Sequence, residues 1–173
     1  MQQTEKVRDI RPTHTLCFLT RGDDVLMLKR VKPPHCDLWN GVGGKIETGE
    51  SPIAACLREV SEETGLCLTT ARFGGLLTWQ QVDGTCGSIY LYTAPAPRDE
   101  PSACSEGMLK WQPKEWVFSS SEVVQNIHMF GPPVLSHAHP KEYYFEYQHQ
   151  TLTNFKVRPL PEWVNQVINV LQI

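Results

Sequence analysis

The sequence has no apolar run approaching about 18 residues, so it offers no candidate for a membrane-crossing helix. Its first residues, Met1-Gln2-Gln3-Thr4-Glu5-Lys6, lack a charged, apolar and small-residue succession of the secretory kind. Basic charge is also scarce. Lysine and arginine number 16 against 19 acidic residues, a net charge of −3, and a nucleic-acid or anionic-membrane surface needs the opposite balance. The six cysteines, at 17, 36, 56, 67, 86 and 104, form no Cys-x-x-Cys pair. Cys17 and Cys56 sit on apolar stripes, so the cysteines are expected to be reduced and mostly buried, in a cytoplasmic protein. No repeat or low-complexity tract is present. These absences point away from nucleic-acid and membrane partners. What remains is 173 residues, 40% apolar and 20% charged, enough for one domain with a full core, taken as residues 1–173.

Alternation of apolar and polar residues predicts strands over 13–20 and 25–30, joined by the turn Arg21-Gly22-Asp23-Asp24. Residues 31–36, with Pro33-Pro34, read as a loop. Two β-rich runs, 66–80 and 85–93, flank the hairpin signal Asp83-Gly84. Residues 94–105 carry three prolines and read as an exposed linker; 108–118 should be strand, broken near Pro113. Ser119 and Glu122 form a capping box for a short helix ending near Asn126, with an irregular proline-rich stretch over 128–140. A hairpin over 143–148 and 152–157 precedes a last helix, 161–172, with Trp163, Val164, Val167, Ile168 and Leu171 on one face. This organisation alone implies α+β or α/β.

The most informative stretch is 44–66. Ser51-Pro52 is a helix start and Gly65 the matching stop. Ile53, Leu57, Val60 and Thr64 recur at helical spacing and should face a core. Glu59, Glu62 and Glu63 fall on the other side, within about 100° of each other at ~100° per residue. Carboxylates so spaced repel, and the helix dipole disfavours them near the C-terminus. Arg58 alone stands close enough to compensate, in the weaker orientation relative to Glu62. A local rule broken in this way marks a functional site. Clustered oxygen ligands suit a hard divalent cation such as magnesium, which takes a few carboxylates together with phosphates and water. A solvated acidic face is the bland alternative.

Gly44, five residues, Glu50, seven residues, then Arg58-Glu59-Val60-Ser61-Glu62-Glu63-Thr64-Gly65-Leu66 matches the Nudix box at every defined position. The chain therefore resembles the Nudix hydrolases, and in particular their MutT-like, 8-oxo-dGTP diphosphatase-like subgroup. The resemblance implies an α/β fold, the Nudix-type α/β/α sandwich with a mixed β-sheet. It also implies hydrolysis of nucleoside diphosphate derivatives with Mg2+, Mn2+ being able to substitute. Carried over by position, Glu59, Glu62 and Glu63, with the Gly43 backbone, hold the metal; Arg58 orients the carboxylates and Glu50 supports it. Gly43 and Gly44 let backbone approach the phosphates, and Lys45 is a phosphate or carboxylate partner or a surface lysine. The proton acceptor is a box glutamate or one on a later loop. Glu106 occupies such a place, with Glu100 and Glu59 as alternatives.

The run Leu38-Trp39-Asn40-Gly41-Val42-Gly43-Gly44-Lys45 is similar to the corresponding stretch of enzymes that remove oxidised purine nucleoside triphosphates. Oxidation at C8 turns guanine N7 into an N–H donor beside the O6 acceptor, and an Asn40 amide complements that pair. Asn40 as a plain turn residue is the alternative. Thr15 and Lys29 match nucleotide-lining positions of the subgroup; an ordinary strand threonine and a solvated strand end are the competing readings. Trp39 reads as core rather than stacking platform. After Ser119 the resemblance weakens: Val123-Val124-Gln125-Asn126-Ile127 lacks the paired aspartates of the subgroup, leaving Asn126 as the candidate base contact. His137 and His139 lack a third metal ligand. The expected partner is a nucleoside triphosphate, the expected assembly a monomer or homodimer. The alternatives are hydrolysis of ADP-ribose or a dinucleoside polyphosphate, and a non-catalytic nucleotide-binding module.

Overall fold

A computed structural model describes residues 10–102 and 105–169, the last two of these by backbone alone. Cys104 and the last residues of the helix expected over 161–172, including Leu171, lie outside the described residues.

Eight strands form one mixed sheet: β1 (His14–Arg21), β2 (Asp24–Arg30), β3 (Trp39–Asn40), β4 (Arg72–Gln81), β5 (Cys86–Pro95), β6 (Gly107–Pro113), β7 (Lys141–Gln148) and β8 (Thr151–Arg158). The order is β3-β2-β1-β5-β4-β7-β8, with β6 also paired to β2. β1/β5 and β4/β7 are parallel pairs; the remaining pairs are antiparallel. The helices are α1 (Pro52–Thr64), α2 (Lys114–Val117), α3 (Ile127–Leu135) and α4 (Glu162–Asn169).

Period-two alternation sends neighbouring residues of each strand into different cores. Leu16 and Phe18 of β1 join Trp39 and α3 residues Ile127, Phe130 and Val134 on one face. Cys17 and Leu19 join α1 residues Cys56 and Val60, and Val164 of α4, on the other. The sheet is thus sandwiched between helices, the α/β/α architecture expected.

Several local expectations are corrected. Residues 66–71 are not strand, and β4 starts only at Arg72. Residues 94 and 95 belong to β5 rather than to the linker; 96–102 are half-buried or exposed, with Arg21 donating to the Glu100 carboxylate at 2.6 Å and to the carbonyls of Pro97 and Asp99. After Pro113 the chain turns into α2 instead of continuing as strand. No helix forms over 119–126, because the Ser119 hydroxyl reaches back to the Glu115 carbonyl, and the Ser120 hydroxyl accepts the Glu122 amide. The helix lies further on, as α3, and runs through Pro132 and Pro133. Those prolines remove two amide donors. Burial of Ile127, Phe130, Val134 and Leu135 outweighs that loss. Of the five described cysteines, Cys17 and Cys56 are buried but Cys36, Cys67 and Cys86 are exposed, and all five are free thiols.

Candidate active site

The site grows from the two ends of the segment 39–65. At the far end, α1 is fixed by local chemistry. The Ser51 hydroxyl accepts the Ala54 amide at 3.2 Å, Pro52 occupies the first turn, and Gly65 closes the helix at φ 71°. At the near end, the segment after β3 returns to β1, where the Thr15 amide donates to the Gly44 carbonyl at 2.9 Å. The two glycines in between permit close approach. A Cβ at Gly43 would overlap the Thr15 carbonyl, and one at Gly44 would overlap the Glu59 carboxylate. Loop and helix therefore meet with the Glu59 carboxylate against the Gly44 backbone.

Arg58 organises the meeting. Its Nε and Nη2 hold both oxygens of Glu50, at 2.9 and 3.0 Å. Nη1 reaches Glu59 at 2.9 Å and Glu62 at 3.2 Å, and Nη2 also donates to the Lys45 carbonyl at 2.9 Å. A planar guanidinium supplies these bonds from a fixed fork, which an ammonium does not. The Glu50 carboxyl is held below its usual range mainly by the Arg58 bonds, and the guanidinium is raised in return, first by Glu50. Glu50 also accepts the Glu47 amide at 3.1 Å, so the loop before α1 is tied to the same ion pair.

The three box glutamates have three different environments. Glu62 is exposed at the helix surface. Glu59 is largely covered, against Arg58 and Gly44. Glu63, expected on the polar side, is turned inward and only 7% exposed, with Oε2 accepting the Gly43 amide at 2.8 Å. The inward face of α1 is accordingly Ala55, Cys56, Val60, Glu63 and Thr64, while Ile53 and Leu57 are half-buried. Burial pushes the Glu63 carboxyl up to about 7; the Gly43 amide and Arg30 oppose the rise, while Glu59 and Glu106 add to it. Glu106, in the loop before β6, is thus one of the charges that disfavour ionisation of Glu63.

Among the described residues, no three His, Cys, Asp or Glu side chains converge closely enough to hold a metal ion. Arg58 draws Glu59 and Glu62 towards itself, and Glu63 faces the Gly43 amide. The donor chemistry nevertheless fits a hard cation. Glu59, Glu63 and Glu106 are all oxygen donors, and the two others each disfavour the ionised form of buried Glu63. A divalent charge relieves that conflict.

Other expected site residues are placed less uniformly. Asn40 stands next to the loop, its Oδ1 accepting the Gly41 amide at 2.9 Å. Lys45 is exposed. Lys29 pairs in register with Trp39, and its ammonium lies 3.8 Å from Glu122 and 6.0 Å from the Trp39 ring centre. Trp39 itself is buried core. Strand alternation sends Arg30 to the opposite side from Lys29, and Arg30, not Lys29, is felt by Glu63. Arg30 was missed because adjacent basic residues cannot be told apart without the register. Thr15 is buried, and its hydroxyl has no hydrogen-bond partner. Asn126 precedes α3, remote in sequence from the acidic helix. Glu100 is engaged by Arg21.

With this geometry in view, comparison with known proteins is direct. The NUDIX domain family model matches residues 10–151, and the chain belongs to that family. It is 32% identical over 102 residues to an uncharacterized Nudix hydrolase, YvcI, of Bacillus subtilis. It is 29% identical over 98 residues to the oxidized purine nucleoside triphosphate hydrolase of Danio rerio. Each match covers 56% of this chain and 63% of the relative, so the chain spans somewhat under two thirds of their length. The crystal structure of the mutator MutT protein from Bacillus halodurans superposes with a TM-score of 0.70 at 25% identity, over 86% of this chain and 98% of that one. Nudix hydrolases generally use divalent metal ions.

Proposed function

We propose that the chain is a magnesium-dependent nucleoside triphosphate pyrophosphohydrolase that prefers oxidised purine nucleotides such as 8-oxo-dGTP. The observation that carries the hydrolytic reading is the Arg58 fork, which holds Glu50, Glu59 and Glu62 beside buried Glu63 at a glycine loop. Glu59 and Glu63 would hold the cation, with Glu62 at the rim and the Gly43 backbone alongside. Bound there, the cation supplies charge neutralisation at the phosphates and acidifies a water. Arg58 keeps two carboxylates oriented, and its bonds to Glu50 and the Lys45 carbonyl keep the glycine loop against the helix. Glu106 accepts the proton of the attacking water, whose oxygen forms the new bond to phosphorus as a phosphoanhydride P–O bond breaks. The products are the nucleoside monophosphate and pyrophosphate. Arg30 lies on the same side of the sheet as Glu63 and meets the phosphate charge.

The substrate preference rests on Asn40. The Gly41 amide fixes Oδ1 as the inner end of its side chain, while Oδ1 retains a second lone pair for the N7–H of an 8-oxo base. Nδ2 then faces O6. Unmodified guanine would set its N7 lone pair against the carbonyl, a mismatch of the kind that discriminates strongly. The name of the Danio rerio relative points the same way.

Steady-state kcat/KM with magnesium for 8-oxo-dGTP, dGTP, ADP-ribose and diadenosine tetraphosphate, with products separated by chromatography, tests both layers. A preference for 8-oxo-dGTP that Asn40→Ala abolishes is expected. Equal rates for 8-oxo-dGTP and dGTP would discard the base reading and keep the metal site. Absence of turnover on the whole panel would overturn the hydrolase reading itself.

A further inference from the structure

Glu106 is reached from a direction the chemistry above does not use. The β2–β3 loop, residues 31–38, is exposed over most of its length and carries His35 and Asp37 at left-handed φ of 64° and 62°. Leu38 anchors its end in the core and Asp37 bonds back to the Arg30 carbonyl, and its start is held at the turn before β6. The Val31 amide donates to the Glu106 carbonyl at 3.1 Å, and the Lys32 ammonium meets the Glu106 carboxylate at 2.7 Å. Arg30 reinforces the loop base, its Nε donating to the Pro34 carbonyl at 3.0 Å. A cation is thereby clasped to the carboxylate that precedes Gly107, the residue paired with Arg30 at the end of β2, and the Glu106 charge is among those that disfavour the ionised form of Glu63.

We propose that Lys32 is a positioning residue: it holds Glu106 in an ion pair until the substrate's phosphates draw the lysine away and release the carboxylate towards the acidic pocket. The pair suits that exchange. Its side chains are 57% and 32% exposed, and pairs in such surroundings are weak. A polyphosphate offers more charge and more acceptors than one carboxylate does. Binding of phosphate and recruitment of Glu106 would then be coupled, so that the loop reports the presence of substrate to the site. This inference rests on the triphosphate hydrolase reading for its substrate and on the Lys32–Glu106 contact for its mechanism.

Binding of Mn2+ to the nucleotide-free protein, followed by the electron paramagnetic resonance of free Mn2+, separates the two. Lys32→Gln should tighten Mn2+ binding about threefold or more, because Glu106 is released without substrate. In a Glu106→Gln background the same substitution should have no effect, whereas simple removal of a nearby positive charge would act equally in both. Lys32→Arg should restore the wild-type affinity. In turnover, Lys32→Gln should raise KM for the triphosphate about three- to tenfold, with kcat changed less. Unchanged Mn2+ affinity in Lys32→Gln, or an equal gain in the Glu106→Gln background, would overturn the clasp while leaving the hydrolase reading intact. A wild-type protein that turns over no triphosphate yet shows the Mn2+ pattern would keep the clasp and replace the substrate class.

Discussion

Helices α1 and α3, on opposite faces of the sheet, owe their existence to different things. Helix α1 is specified by its own residues: a capping serine, a proline in the first turn and a closing glycine. Helix α3 has no side-chain cap and carries Pro132 and Pro133 in its interior. Its partner surface supplies what its sequence does not. Phe130 is fully buried, with ring centres of Phe18, Tyr143 and Phe145 at 6.0, 6.1 and 6.4 Å. The helix that carries the clustered glutamates is locally determined, and the helix that covers the opposite face is determined by packing. A site whose geometry depends on adjacent turns of one helix gains precision from strong local signals.

The sharpest test of this contrast is Phe130→Ala. Loss of a fully buried ring should lower stability by ~3–5 kcal/mol in urea unfolding, and the far-ultraviolet helical signal should fall as α3 loosens. A loss below ~1 kcal/mol would show that α3 is held by something other than that core.

On the other face, Arg58→Ala should lower stability by ~2–4 kcal/mol, since three carboxylates lose their shared partner in a mostly covered setting. Turnover should fall by at least ~100-fold. Arg58→Lys should recover little of either, because lysine lacks the fork; full recovery would mean that charge alone matters.

Glu63→Gln sharpens the distinction between fold and chemistry. The Glu63 carboxyl is raised to about 7 from 4.5, chiefly by burial. The folded protein therefore binds the proton more tightly than the unfolded chain. This contribution is fully present below about pH 4.5 and is lost as pH rises through about 7. In chelator, the melting temperature should fall between pH 5 and pH 8 by less in Glu63→Gln than in the wild type, while hydrolysis is lost. Identical pH profiles would remove Glu63 from the buried acidic pocket. The smallest effect is expected at Ser51→Ala, about 1 kcal/mol from loss of the cap, with kcat little altered because the Arg58 fork remains.

How much of this was legible in advance follows the same division. The strands expected at 13–20 and 25–30 and found at 14–21 and 24–30, and the α1 boundaries, follow from spacing, because alternation and caps are local; the Arg58–Glu50 partnership was implied by the Nudix resemblance. The α2 turn and the true position of α3 were not legible. Serine side chains at 119 and 120 bond to nearby backbone instead of capping a helix, and Pro132-Pro133 reads as a break until a buried surface compensates for it.

The acidic helix, its caps, the glycine loop before it and the need for an arginine among its glutamates were determined by the sequence alone, since each depends on residues within a few turns of one another. Tertiary structure alone decided which glutamate is buried, which of Lys29 and Arg30 acts on it, and that Lys32 pairs with Glu106. Those outcomes depend on strand register and loop return, which bring together residues 20 to 74 positions apart in the chain, and no local periodicity encodes that distance.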